Sequence, residues 1–75
     1  MTQAEKVVKY MQEYGGITQI DALREFGCMR LASRIRDLRR DGMKIKSEMV
    51  KAKNRYGEPI SFARYTLEDE TNVQN

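Results

Sequence analysis

The chain has 75 residues, a formal charge of +3, one cysteine and no histidine. A domain of this size buries only about 60% of the surface its unfolded chain exposes, which leaves little room for a catalytic cavity beside the core. One cysteine forms no internal disulfide, and without histidine the chain lacks the usual zinc ligands and the commonest general base, so no metal, cofactor or enzymatic activity is expected.

Thr2-Gln3-Ala4-Glu5 has the form of a capping box, with a hydroxyl and a carboxylate placed to satisfy two orphan amides at a helix start. Ala4, Val7, Val8, Met11 and Tyr14 follow at helical spacing until Gly15-Gly16 stops the run. Ile17 then makes a short extended piece. Thr18-Gln19-Ile20-Asp21 repeats the threonine-to-acid spacing and opens a second helix, whose buried side is expected to be Ile20, Leu23 and Phe26 before Gly27 ends it. The next periodic segment begins at once, which predicts a turn of about three or four residues containing a glycine, the spacing of a helix-turn-helix.

The third helix is expected over Cys28–Arg40, up to Asp41-Gly42. On a helical projection Leu31, Ala32, Ile35 and Leu38 share the inward side, and Met29, Arg30, Ser33, Arg36, Asp37 and Arg40 share the outward side. Arg34 and Arg39 fall on the flanks, where their stems cover apolar surface and their guanidinium groups reach water, an acid or a phosphate. Cys28 stands where a short polar cap commonly opens a helix. Its thiol caps poorly, so fraying is expected there, with a small buried side chain and no redox role.

Past Gly42 the period changes to two. Met43, Ile45, Ser47 and Met49 alternate with Lys44, Lys46, Glu48 and Val50, and Ala63, Tyr65 and Leu67 alternate with Phe62, Arg64 and Thr66. These are two strands of a hairpin, joined by a polar loop over residues 51–59 that carries Lys51, Lys53 and Arg55. The expected core runs through Val7, Val8, Met11, Ile17, Ile20, Leu23, Phe26, Leu31, Ile35, Leu38, Ile45, Phe62, Tyr65 and Leu67. Residues 1–67 therefore read as one domain, and 68–75 as an acidic, disordered tail without periodicity.

Charge is distributed unevenly along this frame. Residues 1–27 hold three cations and four acids, residues 28–64 eleven cations and four acids, and the last eleven residues only three acids. A basic middle between acidic flanks is the electrostatic pattern of a surface for a polyanion. No apolar run approaches the roughly 20 residues of a membrane span, and no leader is recognisable at the N-terminus. The expectation is a soluble protein of the bacterial cytoplasm with no membrane partner.

Three helices, a tight turn before a basic third helix, and a basic hairpin tip give the order of a winged helix-turn-helix, mainly α with a two- or three-stranded β wing. Gly16-Ile17-Thr18, Asp21-Ala22-Leu23, Phe26-Gly27, Arg30-Leu31-Ala32-Ser33-Arg34-Ile35 and Asp37-Leu38-Arg39, with Tyr65 and Leu67 closing, resemble a family of short helix-turn-helix proteins common in bacteriophages and prophages. The resemblance spans about residues 5–67 and implies DNA binding, as a transcriptional regulator or as an accessory factor in excision, replication or packaging.

Reading base edges in the major groove needs long donors near the N-terminal half of a helix. Met29, Arg30, Ser33, Arg34, Arg36, Asp37 and Arg40 are the candidates on the recognition helix, with Arg30 placed to make a bidentate contact to guanine. Asp37 either accepts from cytosine or pairs with a neighbouring arginine such as Arg34. Lys51, Lys53 and Arg55 form the candidate wing contacts to phosphate or the minor groove, against the alternative of lysines that only protect a sheet edge. Double-stranded DNA is the partner expected first. The rival reading is a protein-interaction module, an adaptor or host-directed inhibitor whose basic face docks on an acidic phage or host protein. A homodimer would supply the affinity that a small monomer lacks. RNA recognition by stacking is disfavoured, since Tyr56 is the one aromatic residue in the basic wing.

Overall fold

The computed structural model describes residues 1–68. In chain order it contains α1 (Gln3–Tyr14), β1 (Ile17–Thr18), α2 (Gln19–Phe26), α3 (Leu31–Arg40), β2 (Ile45–Lys53) and β3 (Pro59–Leu67). The three strands form an antiparallel sheet in the order β1-β3-β2, so the wing is a three-stranded sheet.

Both threonine boxes form. Glu5 N donates to Thr2 Oγ1 at 3.1 Å while Glu5 Oε1 accepts from Thr2 N at 2.7 Å. At α2 the matching distances between Thr18 and Asp21 are 3.2 and 3.0 Å. Each box satisfies amides that a helix N-terminus leaves orphaned. Gly15 closes α1 at φ 84°, with its N–H on the Met11 carbonyl.

Gly27 closes α2 at φ 66°, a conformation that glycine adopts without steric cost. Gly27 N donates to Leu23 O, the bond of a left-handed C-cap, and Cys28 N donates to Ala22 O, so the chain leaves α2 through a turn closed by both amides. Ala22 and Cys28, which that turn brings together, are both buried. Cys28 thus ends α2's closing turn and does not open α3, which starts three residues later than the periodicity implies. The leading amide of α3 is not left to fray: Leu31 N donates to the side chain of Gln19.

Val7, Met11, Ile17, Ala22, Cys28, Leu31, Ile35, Leu38 and Ile45 form the buried core, with Val8, Phe26, Met43, Tyr65 and Leu67 among the residues packed around it. Fully burying a side chain such as Leu31 or Ile35 contributes about 1.5–3 kcal/mol. Three expected core residues lie elsewhere: Ile20 is 59% exposed, Leu23 is 47% exposed, and Phe62, half-buried opposite Val50 in the hairpin, lies outside the core cluster. The capped start of α2 turns Ala22 and Phe26 toward the body, so the short helix buries the smaller residue of its stripe. Ala32, expected on the inward side of α3, is also exposed. Tyr10 bridges α1 and α2, with ring centroids 4.5 Å from Tyr14 and 6.0 Å from Phe26. Partial burial raises its hydroxyl pKa, and the carboxylates of Asp21 and Glu25 add to the effect.

The hairpin is longer than its alternation suggests. Lys51 and Lys53 lie in β2, opposite Ser61 and Pro59, and only residues 54–58 form the connection. Pro59 is tolerated because it is the first residue of its strand. β1 reaches only Tyr65 and Arg64, so from Ala63 to Pro59 the hairpin stands as two strands. The expected tail falls on residues 68–75, of which 69–75 lie outside the described residues. Glu68 still extends the pairing, with its N–H on the Lys44 carbonyl at 2.9 Å.

Candidate nucleic-acid interface

The sequence-expected contact residues fall on the turn between α2 and α3, on α3 and on the wing. Met29 and Arg30 sit in the four-residue turn Gly27–Arg30, not on the helix. Both are exposed, Met29 at 74%. Arg30 is the N-cap residue of α3 and caps nothing with its own side chain. Its guanidinium group is therefore uncommitted at the N-terminal end of the helix, where the backbone dipole favours an anion.

Along α3, Ser33, Arg34 and Asp37 are half-buried while Arg36 and Arg40 are exposed. Asp37 pairs with Arg40 at 3.0 Å and with Arg34 at 3.8 Å, both at i,i+3 spacing. Arg39 is committed too: its Nε and Nη2 donate to the Ile45 carbonyl at 3.0 and 2.8 Å, tying the end of α3 to the start of β2. Among the described residues, no carboxylate lies within ion-pair distance of Arg30 or Arg36.

The wing carries a second set of uncommitted cations. Ile45 packs into the core, and side chains alternate across a strand, so Lys51 and Lys53 leave β2 on the face that also carries the helices. Neither they nor Arg55 have an acidic partner among the described residues. The tip is well ordered by its own hydrogen bonds. Asn54 Oδ1 accepts from Tyr56 N at 2.9 Å and Glu58 N at 3.0 Å, Asn54 Nδ2 donates to Glu58 Oε1 at 2.9 Å, and Asn54 N donates to Glu58 O at 3.0 Å. Arg55 and Tyr56 are displayed on this braced loop, Tyr56 at 78% exposure.

Two contributors were not singled out by sequence reasoning. Gln19 holds the turn that carries Met29 and Arg30, through partners nine and twelve residues away. Arg64 lies over the Gly15-Gly16 backbone, so close that a side chain at Gly16 would meet its guanidinium carbon at 2.5 Å. The double glycine, legible as a helix stop, is also the seat of that arginine. Among the described residues no group of three or more histidine, cysteine or carboxylate side chains is placed to hold a metal ion, and no helix is long and apolar enough to cross a membrane.

No curated protein and no solved structure is significantly similar to the chain. A family model described as a winged helix-turn-helix domain matches residues 2–70. That span takes in both threonine boxes, the α2–α3 turn and the whole wing, and with the three helices and the antiparallel sheet on which they pack it places the chain in the winged helix-turn-helix domain family.

Proposed function

We propose that this domain binds double-stranded DNA, with the α2–α3 turn and the first turns of α3 in the major groove and the wing against the phosphates. The observation that carries this reading is the sorting of its cations. Asp37 and the Ile45 carbonyl occupy Arg34, Arg40 and Arg39, while Arg30, Arg36, Lys51, Lys53 and Arg55 stay without acidic partners among the described residues, on the two parts the fold projects. Arg30 is the residue assigned to base reading, with Met29, Ser33 and Arg36 beside it. Arg34, Asp37 and Arg40 shape the flank of the same surface, and Lys51, Lys53 and Arg55 contact the backbone. In this reading the protein works in the cytoplasm of a bacterial host as a phage or prophage transcriptional regulator, or as an accessory factor in excision, replication or packaging.

The test is a binding selection from random duplex DNA with the purified protein. The expected result is an enriched motif whose preference at one base pair relaxes in Arg30→Ala, at a cost of about 1–3 kcal/mol on the selected site. No enrichment, or an unchanged motif and affinity in the variant, removes the assignment.

A second reading, a protein-interaction module, draws on Ile20 and Leu23, an apolar i,i+3 pair left exposed on α2. It accommodates either a second copy of the chain or a phage or host protein. Equilibrium sedimentation of the protein and of Ile20→Ser decides between a self-association that weakens in the variant and a monomer in both.

A further inference from the structure

Met29 and Arg30 lie on backbone that belongs to no element, and one side chain from α2 holds both ends of it. Gln19 Nε2 donates to the Cys28 carbonyl at 2.7 Å, and Gln19 Oε1 accepts from Leu31 N at 2.8 Å. In an ordinary four-residue turn the first carbonyl accepts directly from the fourth amide. Here the carboxamide stands between those two groups, so the Cys28–Leu31 turn is opened by the width of an amide while both backbone groups remain satisfied. Arg30, inside that opened turn, has φ −134° and ψ 68°, outside the helical and extended wells.

Gln19 is itself fixed from behind. It is the first residue of α2, it follows Thr18 in the capping box with Asp21, and Ile17 before it is fully buried. The α2 start thus sets the carboxamide, and the carboxamide sets the turn. We infer that Gln19 is a positioning residue for base reading: it fixes the reach of Arg30 without touching DNA itself. The inference rests on Arg30 reading a base. Glutamine is suited to the position because it offers a donor and an acceptor on one planar group. Glutamate lacks the donor, and asparagine is a methylene shorter.

The test measures affinity for the DNA site selected by the wild-type protein and for an unrelated duplex, in Gln19→Ala, Gln19→Glu, Arg30→Ala and the double variant Gln19→Ala/Arg30→Ala. Gln19→Glu keeps the acceptor for Leu31 N and so keeps α3 capped, which covers the case of a poorly folded alanine variant. The expected result for both Gln19 variants is a loss of about tenfold in the ratio of selected-site to unrelated-duplex affinity, the scale of a displaced base contact, with affinity for the unrelated duplex within about twofold of wild type in Gln19→Ala and lowered together with specific affinity in Gln19→Glu by its added charge. In the Arg30→Ala background the Gln19→Ala change should move specific affinity by less than about twofold, because effects routed through one residue do not add. A full tenfold loss in that background overturns the inference, because Gln19 then acts other than through Arg30. If Arg30→Ala lowers specificity while both Gln19 variants keep the wild-type ratio, the inference fails alone. If Arg30→Ala itself leaves the ratio unchanged, the base-reading role fails and takes the inference with it.

Discussion

Asp37 sets Arg34 and Arg40 of α3 apart from Arg36 and from Arg30 in the turn before the helix. Its carboxylate holds Arg34 and Arg40 at 3.8 and 3.0 Å, and no carboxylate among the described residues pairs with Arg30 or Arg36. Exposed pairs of this kind stabilise by at most about 1 kcal/mol, so their effect on the surface charge matters more than their effect on the fold. Asp37→Asn should leave the unfolding midpoint nearly unchanged and tighten binding to any duplex at low salt, most visibly in titrations below about 0.1 M salt, where screening is weak. Weaker binding in that variant would instead mean that the acid touches a base. The pairing options of Asp37 were legible in the i,i+3 spacing, because a helix fixes which side chains are neighbours. The roles of Gln19 and Arg64 were not, since both act across the tertiary fold on backbone that carries no side-chain signature. Gly16 offers a check on Arg64. A methyl group there would collide with the guanidinium carbon at 2.5 Å. Gly16→Ala should cost about 1 kcal/mol, the low end of overpacking because a flexible side chain can yield, and Arg64→Ala should remove most of that cost. Purely additive unfolding free energies for the two substitutions would show that the contact does not matter.

At the scale of elements, sequence periodicity and caps located the helices whose ends are closed locally and misplaced the one that is not. Thr2 with Glu5 and Thr18 with Asp21 are complete in four consecutive residues, and both helices start there. α3 borrows its cap from α2, so its start could not be read from its own residues. The strands ran longer than their alternation because Ala52, Lys53 and Pro59 through Ser61 have no core to face, yet they continue the ladder. The cap of α1 has a pH signature. The Thr2 backbone amide, followed by its hydroxyl, lowers the pKa of Glu5 below the ordinary carboxylate value. A lowered folded-state pKa adds stability above the unfolded-state pKa, and that stability is lost as pH falls through the folded value. Glu5→Gln should therefore unfold at a lower temperature than wild type at neutral pH, with the two midpoints converging in acid below about pH 4. A constant gap across that range would locate the effect outside the carboxylate charge. The wing tip depends on Asn54, whose side chain makes three hydrogen bonds. Asn54→Ala should speed amide exchange at Tyr56 and Glu58 with little change in global stability, since the loop is exposed. Unaltered exchange there would mean that backbone bonds alone brace the tip.

Across the whole molecule, the same chain segment builds the fold's projecting elements and carries its excess charge. Residues 28–64 hold eleven of the fourteen lysine and arginine residues, and they are the residues that become the α2–α3 turn, α3 and most of the wing. That coincidence was visible in the sequence as a basic middle between acidic flanks. Which cations remain uncommitted was not, because it depends on Asp37 and the Ile45 carbonyl reaching three of the arginines in the folded state. A surface of this kind should bind polyanions through counterion release, and its central claim is tested most directly by the salt dependence of duplex binding for the wild-type protein and for Lys51→Ala/Lys53→Ala/Arg55→Ala. If the three wing cations each meet a phosphate, log K should fall linearly with log salt for wild type, and the slope should become shallower by about 2–3 units in the triple variant. A wild-type protein with no measurable duplex affinity at low salt, or a triple variant with the wild-type slope, would contradict the account.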